Sequence, residues 1–446
     1  MSRSLSCSMT LCGETLISQK AGLMADFSFI HAADIHLDSP LSGLSAYEGA
    51  PVDLLRSAPR VAFSHLVDEA INLGVDFMII AGDLYDGNWK DFNTGLFFSA
   101  EMGRLKQKDI PVFIVYGNHD ADNEMTRQLM LPENVTVFSP RKAETQVLPE
   151  LGVALHGHSF GKAKMQDNLA VDYPPPVAEC FNIGVLHTAV EGDAAHASYA
   201  PCSLADLTGK GYDYWALGHV HEHKILNETP LVVFPGNLQG RHIRETGAHG
   251  AVLVRVADNQ PVIERLLVDT VRWHKISIDA EQASSLEDVV LLARDRLEKL
   301  VRQNVDKRPL AVRVVFSGHS RAHGELFGLE AQLRLEILNN ANALGDNELW
   351  IEKVILETEP ALDAAALATR SDAIADLQGI LARAGSDRQI KQLIMDDLIK
   401  LVGKAPLELI DAMPELEMIK NGEIDEQLEK VSQGLIARLV GERGAP

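Results

Sequence analysis

Five short polar motifs carry residue types suited to metal and phosphate chemistry. They are "DIH" (Asp34, His36), "GDLYD" (Gly82, Asp83, Asp86), "GNHD" (Gly117 to Asp120), "GVLHT" (His187) and "GHVH" (Gly218, His219, His221). Asp supplies a hard carboxylate oxygen, His a borderline imidazole nitrogen and Asn an amide oxygen, and no cysteine stands among them. Such a set suits manganese, iron or zinc better than an all-oxygen magnesium cage. A carboxylate can bridge two ions, and two ions about 3.5–4 Å apart can hold a nucleophilic hydroxide in line with a phosphorus atom. Asp83 is the candidate bridge, because its strand lies between two others in sequence order. Each motif alone is weak, since a lone DxH or GxH is more often a turn or a satisfied core histidine. Five in order, each ending an apolar strand, are hard to obtain from core packing.

The elements that must position these groups are legible as alternation. "FSFIHAAD" (Phe27 to Asp34) and "VDFMIIAGD" (Val75 to Asp83) read as buried strands, as does the run in "IPVFIVYGNHD". Helical spacing fills the gaps, near Val52 to Leu73 and Thr94 to Gln107. Strand–helix repetition of this kind predicts a layered α/β fold, in which ligands collect at the carboxyl ends of strands. After Asp120 short strands dominate: "VTVF", "GVALHGHSF", "FNIGVLHT", "YDYWALGHVH", "PLVVFPGN", "GAVLVRV" and "PVIERLLV". They are expected to form a second sheet on the first. The predicted organisation is a disordered extension over 1–25, a catalytic domain over 26–270, a smaller α/β capping domain with two strand-like runs over 271–359, and a helical region over 360–446.

Composition sets bounds. A chain of 446 residues is too long for one ordinary core. No apolar run reaches the roughly 18 residues of a membrane helix, and the first residues lack the apolar stretch of a signal peptide. Four cysteines without CxxC spacing suit a reducing cytoplasm. The formal charge of −22 argues against a coat of Lys and Arg for non-specific nucleic-acid binding. It leaves a nuclease open, because metal ions neutralise acidic ligands and a local basic groove is invisible in a sum.

The ordered set DxH, GDxxD, GNHD, single His and GHxH resembles the calcineurin-type metallophosphoesterase superfamily. Longer phrases narrow the likeness. "HAADIHLDSPLSGL", "GDLYDGNWKDFNTGLFF", "IVYGNHD" and "WALGHVHEH…VVFPGNLQGRHIRETGAHG" resemble the bacterial YhaO group of DNA-repair exonucleases, relatives of the SbcD nuclease subunit. The resemblance implies a two-sheet αββα sandwich and a manganese-dependent DNA exonuclease, with iron or zinc as alternative ions. It implies one metal held by Asp34, His36, Asp83 and His221, and the other by Asp83, Asn118, His187 and His219. His119 would be the acid near the leaving oxygen. Some double-strand-break nucleases of the superfamily carry His where this chain has Asp86, which puts in doubt a second substrate-orienting histidine. A coiled-coil, SMC-like ATPase is the partner implied for the helical tail, and a homodimer stays open. The competing functions are a phosphoesterase acting on a small nucleotide or phosphoester and a regulatory subunit with a vestigial site. The second competitor is the weakest, since every predicted ligand is present.

Other residues have blander readings beside sharper ones. Asp120 either orients His119 or caps the next helix. Arg241 and Arg244 either bind backbone phosphates or offset acidic neighbours. His223 is a candidate support for the metal ligands, Asp38 a turn residue, and Trp89 a helix anchor or a stacking platform for a base. The remaining histidines, His31 among them, are expected in core or surface roles. Amphipathic runs such as "IKQLIMDDLIKLV" fit a small bundle or a docking helix.

Overall fold

The computed structural model describes residues 26–39, 50–86, 92–121, 130–190, 200–345, 349–361, 373–404 and 414–442. The extension over 1–25, Trp89 and His196 lie outside them. In chain order the first elements are β1 (Phe27–Ala32), α1 (Val52–Leu73), β2 (Phe77–Ala81), α2 (Phe92–Lys106), β3 (Val112–Val115), α3 (Asn118–Ala121) and β4 (Val135–Val137). Next come β5 (Glu144–Leu148), β6 (Val153–Gly157), β7 (Phe181–His187), α4 (Leu204–Thr208), β8 (Tyr214–Gly218), β9 (Lys224–Glu228) and β10 (Leu231–Phe234). The long hairpin β11 (Gly250–Ala257) and β12 (Gln260–Leu267) follows.

Two six-stranded mixed sheets result, ordered β12-β11-β1-β2-β3-β4 and β5-β6-β7-β8-β10-β9. This is the expected α/β sandwich, with one redistribution. "VTV", "GAVLVRV" and "PVIERLL" belong to the first sheet and not to the second. β4 continues the parallel run beside β3, and β11 returns to pair antiparallel with β1. β11 carries apolar residues on both faces, buried from Gly250 to Val254. Such a strand needs an interior position, and the flank of β1 provides one. β5 and β9 form edges of the second sheet. Their half-exposed, polar sequences hide them from an apolar-run reading.

The sheets face each other across Phe29, Phe77, Ile79, Phe113, Phe181, Ile183 and Tyr214. On the outer face of the first sheet, Ala62, Phe63, Leu66, Val67 and Ala70 of α1 recur at helical spacing and pack on Ile30, Met78 and Ile80. Gly74 ends α1 in the left-handed conformation (φ 61°), its N–H returning to the last turn.

Three further strands, β13 (Arg272–Asp279), β14 (Leu310–Ser320) and β15 (Leu349–Pro360), form a separate parallel sheet. The crossovers are α5 (Leu286–Gln303) and the pair α6 (His323–Leu326) and α7 (Glu330–Leu344). Sequence reading found two of these strands and missed β13, whose "RWHKISID" alternates apolar and polar residues. Four helices complete the described chain: α8 (Ala373–Ser386), α9 (Arg388–Val402), α10 (Pro414–Lys420) and α11 (Asp425–Glu442). The last three of them gather on a small core of Val402, Ile419 and Ile424. Gly434 of α11 packs so closely on Phe327 that an added Cβ would meet the ring at 2.3 Å. Among the described residues no helix is long and apolar enough to cross a membrane.

Candidate metal centre

β1, β2 and β3 run parallel, and β7 and β8 do so in the facing sheet, so five carboxyl ends open on one edge of the sandwich. The chain leaves β1 and β2 as paired loops. Asp34 N–H donates to Gly82 O at 3.0 Å, His36 N–H to Asp83 O at 3.0 Å and Leu37 N–H to Leu84 O at 2.9 Å. The cost is backbone strain. Asp34 (φ 50°), His36 (φ 47°), Asp83 (φ 50°) and His219 (φ 110°) all occupy positive φ without being glycine. Each such conformation costs roughly 1–3 kcal/mol and persists where its surroundings impose it. The glycines of these motifs serve close approach. A Cβ on Gly82 would lie 2.3 Å from His187 Nδ1, and one on Gly117 2.3 Å from Asp83 Oδ1.

Seven of the eight residues singled out from sequence face one another through side-chain atoms. His36 Nε2 lies 3.2 Å from His221 Nε2, and His221 Nε2 lies 3.7 Å from Asp34 Oδ1. His187 Nε2 lies 3.1 Å from Asn118 Oδ1 and 3.4 Å from Asp83 Oδ2. Asp83 Oδ2 is also 3.9 Å from His36 Nε2, while its Oδ1 accepts the His119 N–H at 3.0 Å. The eighth, His219, donates its backbone N–H to Asp34 (2.9 Å) and sets its ring beside that of His187, with centroids 5.3 Å apart. Potential ligand atoms converge in three sets: Asp34, His36 and His221; Asp34, Asp83 and His187; and His36, Asp83 and His119.

The donor chemistry fits a cation. His187 Nδ1 donates to Ala81 O at 3.0 Å, which aims Nε2 at Asn118 and Asp83. Burial disfavours charge on His187, yet the Asp83 and Asp34 carboxylates outweigh it and push the imidazole up to about 9. The field that draws a proton there would draw a divalent ion more strongly. Burial also disfavours the Asp83 charge, but His187, His36 and His119 hold its carboxyl well below the usual range. His36, pushed down by burial and by Arg241, is neutral and keeps a nitrogen lone pair. Its Nε2, 3.2 Å from His221 Nε2, shares a hydrogen bond when one of the two carries the proton, and when neither does, both lone pairs are open to one cation.

Asp86 carries a role that sequence reading did not give it. It accepts from His119 Nδ1 at 2.9 Å and from Ser39 Oγ, and lies 3.6 Å from Arg241 Nη1. This hydrogen bond, with the nearby Asp83 charge, raises the His119 pKa against the opposing effect of burial. The orienting carboxylate on His119 is therefore Asp86. Asp120 ties two loops together instead, accepting backbone N–H groups from Tyr85 (2.9 Å), Gly117 (3.0 Å) and Leu84 (3.2 Å). Burial and the Asp83 charge push Asp120 up to about 6. Arg241 lies between Asp86 and Glu245, offsetting acidic neighbours, and Arg244 is exposed. Asp38 pairs with Arg60. Glu245, also missed, accepts from His221 Nδ1 at 2.7 Å. It sits in the quoted "GRHIRETGAHG", but no spacing rule links it to His221.

Residues 27–223 match the calcineurin-like phosphoesterase family, and residues 273–359 match the middle domain of metallophosphoesterase YhaO. YhaO of Bacillus subtilis (strain 168) is 33% identical over 300 residues, 66% of this chain and 73% of that one. The chain belongs to the calcineurin-like metallophosphoesterases, in their YhaO group. The DNA double-strand break repair protein Mre11 of Sulfurisphaera tokodaii is 24% identical over 310 residues, 67% of this chain and 75% of that one. Mre11 of Methanopyrus kandleri is 26% identical over 341 residues, 68% of this chain and 67% of that one. The metal-binding chemistry of a phosphoesterase thus has both a family and a cluster of side chains able to supply it.

Proposed function

We propose that this metallophosphoesterase is a two-metal phosphodiesterase acting on DNA, an exonuclease of DNA repair that uses manganese. The observation that carries the reading is the convergence of Asp34, His36, Asp83, His187 and His221 beside a more exposed His119–Asp86 pair. One ion would be held by Asp34, His36, Asp83 and His221, the other by Asp83, Asn118, His187 and His219. When bound, two such ions polarise phosphoryl oxygens and supply a nucleophile at neutral pH. The chain's own contribution is proton transfer. His119 is bound through Nδ1 to Asp86, so its transferable proton sits on Nε2. His119 keeps 38% of its side-chain surface exposed, whereas His36, Asp83 and His187 keep 3% or less. It is the imidazole that substrate reaches first, and it donates to the departing sugar oxygen as the P–O bond breaks.

DNA as substrate is supported by the names of the Mre11 relatives and by local charge. In a molecule of net charge −22, Arg141, Lys142, Lys162 and Lys164 are all exposed on two adjoining segments. Ser159 N–H bonds Ser139 O, and Phe160 N–H bonds Tyr116 O, directly before "GNHD". Phe160 sets its ring edge-on to His187 at 5.5 Å. A phosphate backbone leaving the centre on this side would meet cations. The same reading divides the chain into a catalytic domain over 26–270, a capping domain over 271–359 and a helical region over 360–446. The exposed Leu393, Leu401 and Val431 of that last region offer an ATPase partner apolar side chains.

The test is His119→Asn, assayed with manganese on end-labelled duplex, single-stranded DNA and bis-nitrophenyl phosphate. Metal content and fold should persist, while turnover on DNA falls by at least about 10². The loss should shrink on the nitrophenyl ester, whose leaving group needs no proton. Loss of an ion from the variant would make His119 a ligand. Wild-type protein that hydrolyses only the small ester would transfer the reading to a small phosphoester substrate.

A further inference from the structure

The loop between β10 and β11 carries a carboxylate that the reaction as described leaves unused. Glu245 keeps only 8% of its side-chain surface exposed, yet all its close partners are polar. Its Oε1 accepts from His221 Nδ1 at 2.7 Å and from Arg241 Nη2 at 3.3 Å. Its Oε2 accepts the Arg241 backbone N–H at 2.7 Å and Asn237 Nδ2 at 3.0 Å. Both oxygens are engaged, so the carboxylate cannot swing away from His221.

We propose that Glu245 is a positioning residue that fixes His221 as a metal ligand. Neutral imidazole has two tautomers, and only the one protonated at Nδ1 presents a lone pair at Nε2. A carboxylate at Nδ1 selects that tautomer and locks the ring plane. The Nε2 so freed is the atom that faces His36 Nε2 and Asp34 Oδ1. Glu245 also fixes the Arg241 guanidinium, which reaches Asp86 and hence the neighbourhood of His119.

The loop has its own anchorage, on the entry to the small sheet. Trp273 Nε1 donates to Gly240 O at 2.9 Å. Gln239 Nε2 donates to Val271 O at 2.6 Å, and Gln239 Oε1 accepts the Thr270 N–H at 2.7 Å. Glu245 is thus held from behind by residues at the start of β13, while it holds His221 in front.

This proposal rests on the two-metal reading, and the experiment separates the two. Full-length protein freed of metal is titrated with Mn²⁺ by calorimetry, for wild type, Glu245→Gln and Glu245→Ala. Wild type should bind two ions. Both variants should lose about 10–100-fold in affinity at one site and keep the other. Turnover of Glu245→Gln on bis-nitrophenyl phosphate should recover in excess Mn²⁺, which a merely misfolded loop would not allow. Wild-type affinities in both variants would overturn the role of Glu245. Wild-type protein that binds fewer than two ions would instead sink the two-metal reading. If neither variant folds, nitrogen NMR of histidine-labelled wild type loaded with Zn²⁺ decides: the role of Glu245 requires a proton on His221 Nδ1, and its absence there refutes it.

Discussion

Two runs of parallel strands in this molecule, one in the sandwich and one in the small sheet, turn their backbones to positive φ differently. In the small sheet, β14 passes its bend with Gly318 at φ 92°, where a Cβ would lie 2.6 Å from Asp279 Oδ1. The sheet's buried carboxylate is matched: Arg313 and Glu352 pair through two hydrogen bonds. In the first sheet of the sandwich the corresponding bends hold Asp34, His36 and Asp83, and their polar atoms point at one another. Glycine is the unstrained choice at positive φ. Placing carboxylates and an imidazole there costs stability, and here the ligand atoms of the strained residues converge. Parallel strands with free carboxyl ends therefore do not make a site by themselves. Strained non-glycine residues whose ligand atoms converge mark the difference.

The largest effect should come from the residue at the centre of that contrast. Asp83 belongs to two of the three convergent sets. Asp83→Ala should remove at least one bound ion and, with it, several kcal/mol of transition-state stabilisation, about 10³-fold or more in rate on any phosphodiester. Metal analysis beside a bis-nitrophenyl phosphate assay checks it. Normal hydrolysis by the variant, or by chelated wild type, would erase the distinction between the two sheets.

The mirror experiment belongs in the small sheet. Gly318→Ala should destabilise by about 1–3 kcal/mol, since the new Cβ combines a strained φ with a clash. Metal content and turnover at low temperature should stay at wild-type values. A variant as stable as wild type would show that the bend at 318 relaxes freely. A variant that loses metal would show that the small sheet reaches the centre more directly than its hydrogen bonds imply.

These contrasts also explain what sequence could reveal. The residues that cluster were legible because each follows a run of buried β-formers, and a burst of Asp, His and Asn at such an end is rare. The middle strand of the three, β2, was inferred from chain order and does lie between β1 and β3. The return of β11 to β1 was not legible, because "GAVLVRV" fits either sheet and only long-range pairing decides. Asp86 and Glu245 were seen as polar residues in quoted motifs, yet their partners lie 33 and 24 positions away along the chain. Nothing in local spacing shows which carboxylate meets which imidazole. β13 was missed because one side of an edge strand is half exposed, which breaks the apolar run that signals a strand.

The smallest expected effect sharpens a comparison across the sandwich, between a histidine inside β1 and the histidine that ends β7 in the facing sheet. His31 and His187 are both fully buried, and each gives one ring nitrogen to a backbone carbonyl, Leu217 O and Ala81 O. The other nitrogen of His31 meets Tyr214 Oη at 3.0 Å, whereas that of His187 faces Asp83. Burial accordingly pushes His31 down to about 3, while the carboxylates push His187 up to about 9. A depressed histidine stabilises the fold fully above the unfolded value of 6.5. That contribution is lost as pH falls toward 3, because the unfolded chain takes up a proton that the folded chain refuses. The slope is about 1.4 kcal/mol per pH unit for this single group. Glutamine at 31 can serve both neighbours without titrating. His31→Gln should therefore be less stable than wild type at pH 7.5, and the gap should close by roughly 2–3 kcal/mol on reaching pH 4.5. Denaturant unfolding of both proteins at pH 7.5, 6.5, 5.5 and 4.5 measures the difference curve, in which the shared titration of other groups cancels. A gap that stays constant across this range would mean that His31 titrates normally in the fold, and that burial between the sheets does not separate it from the histidine at the strand end.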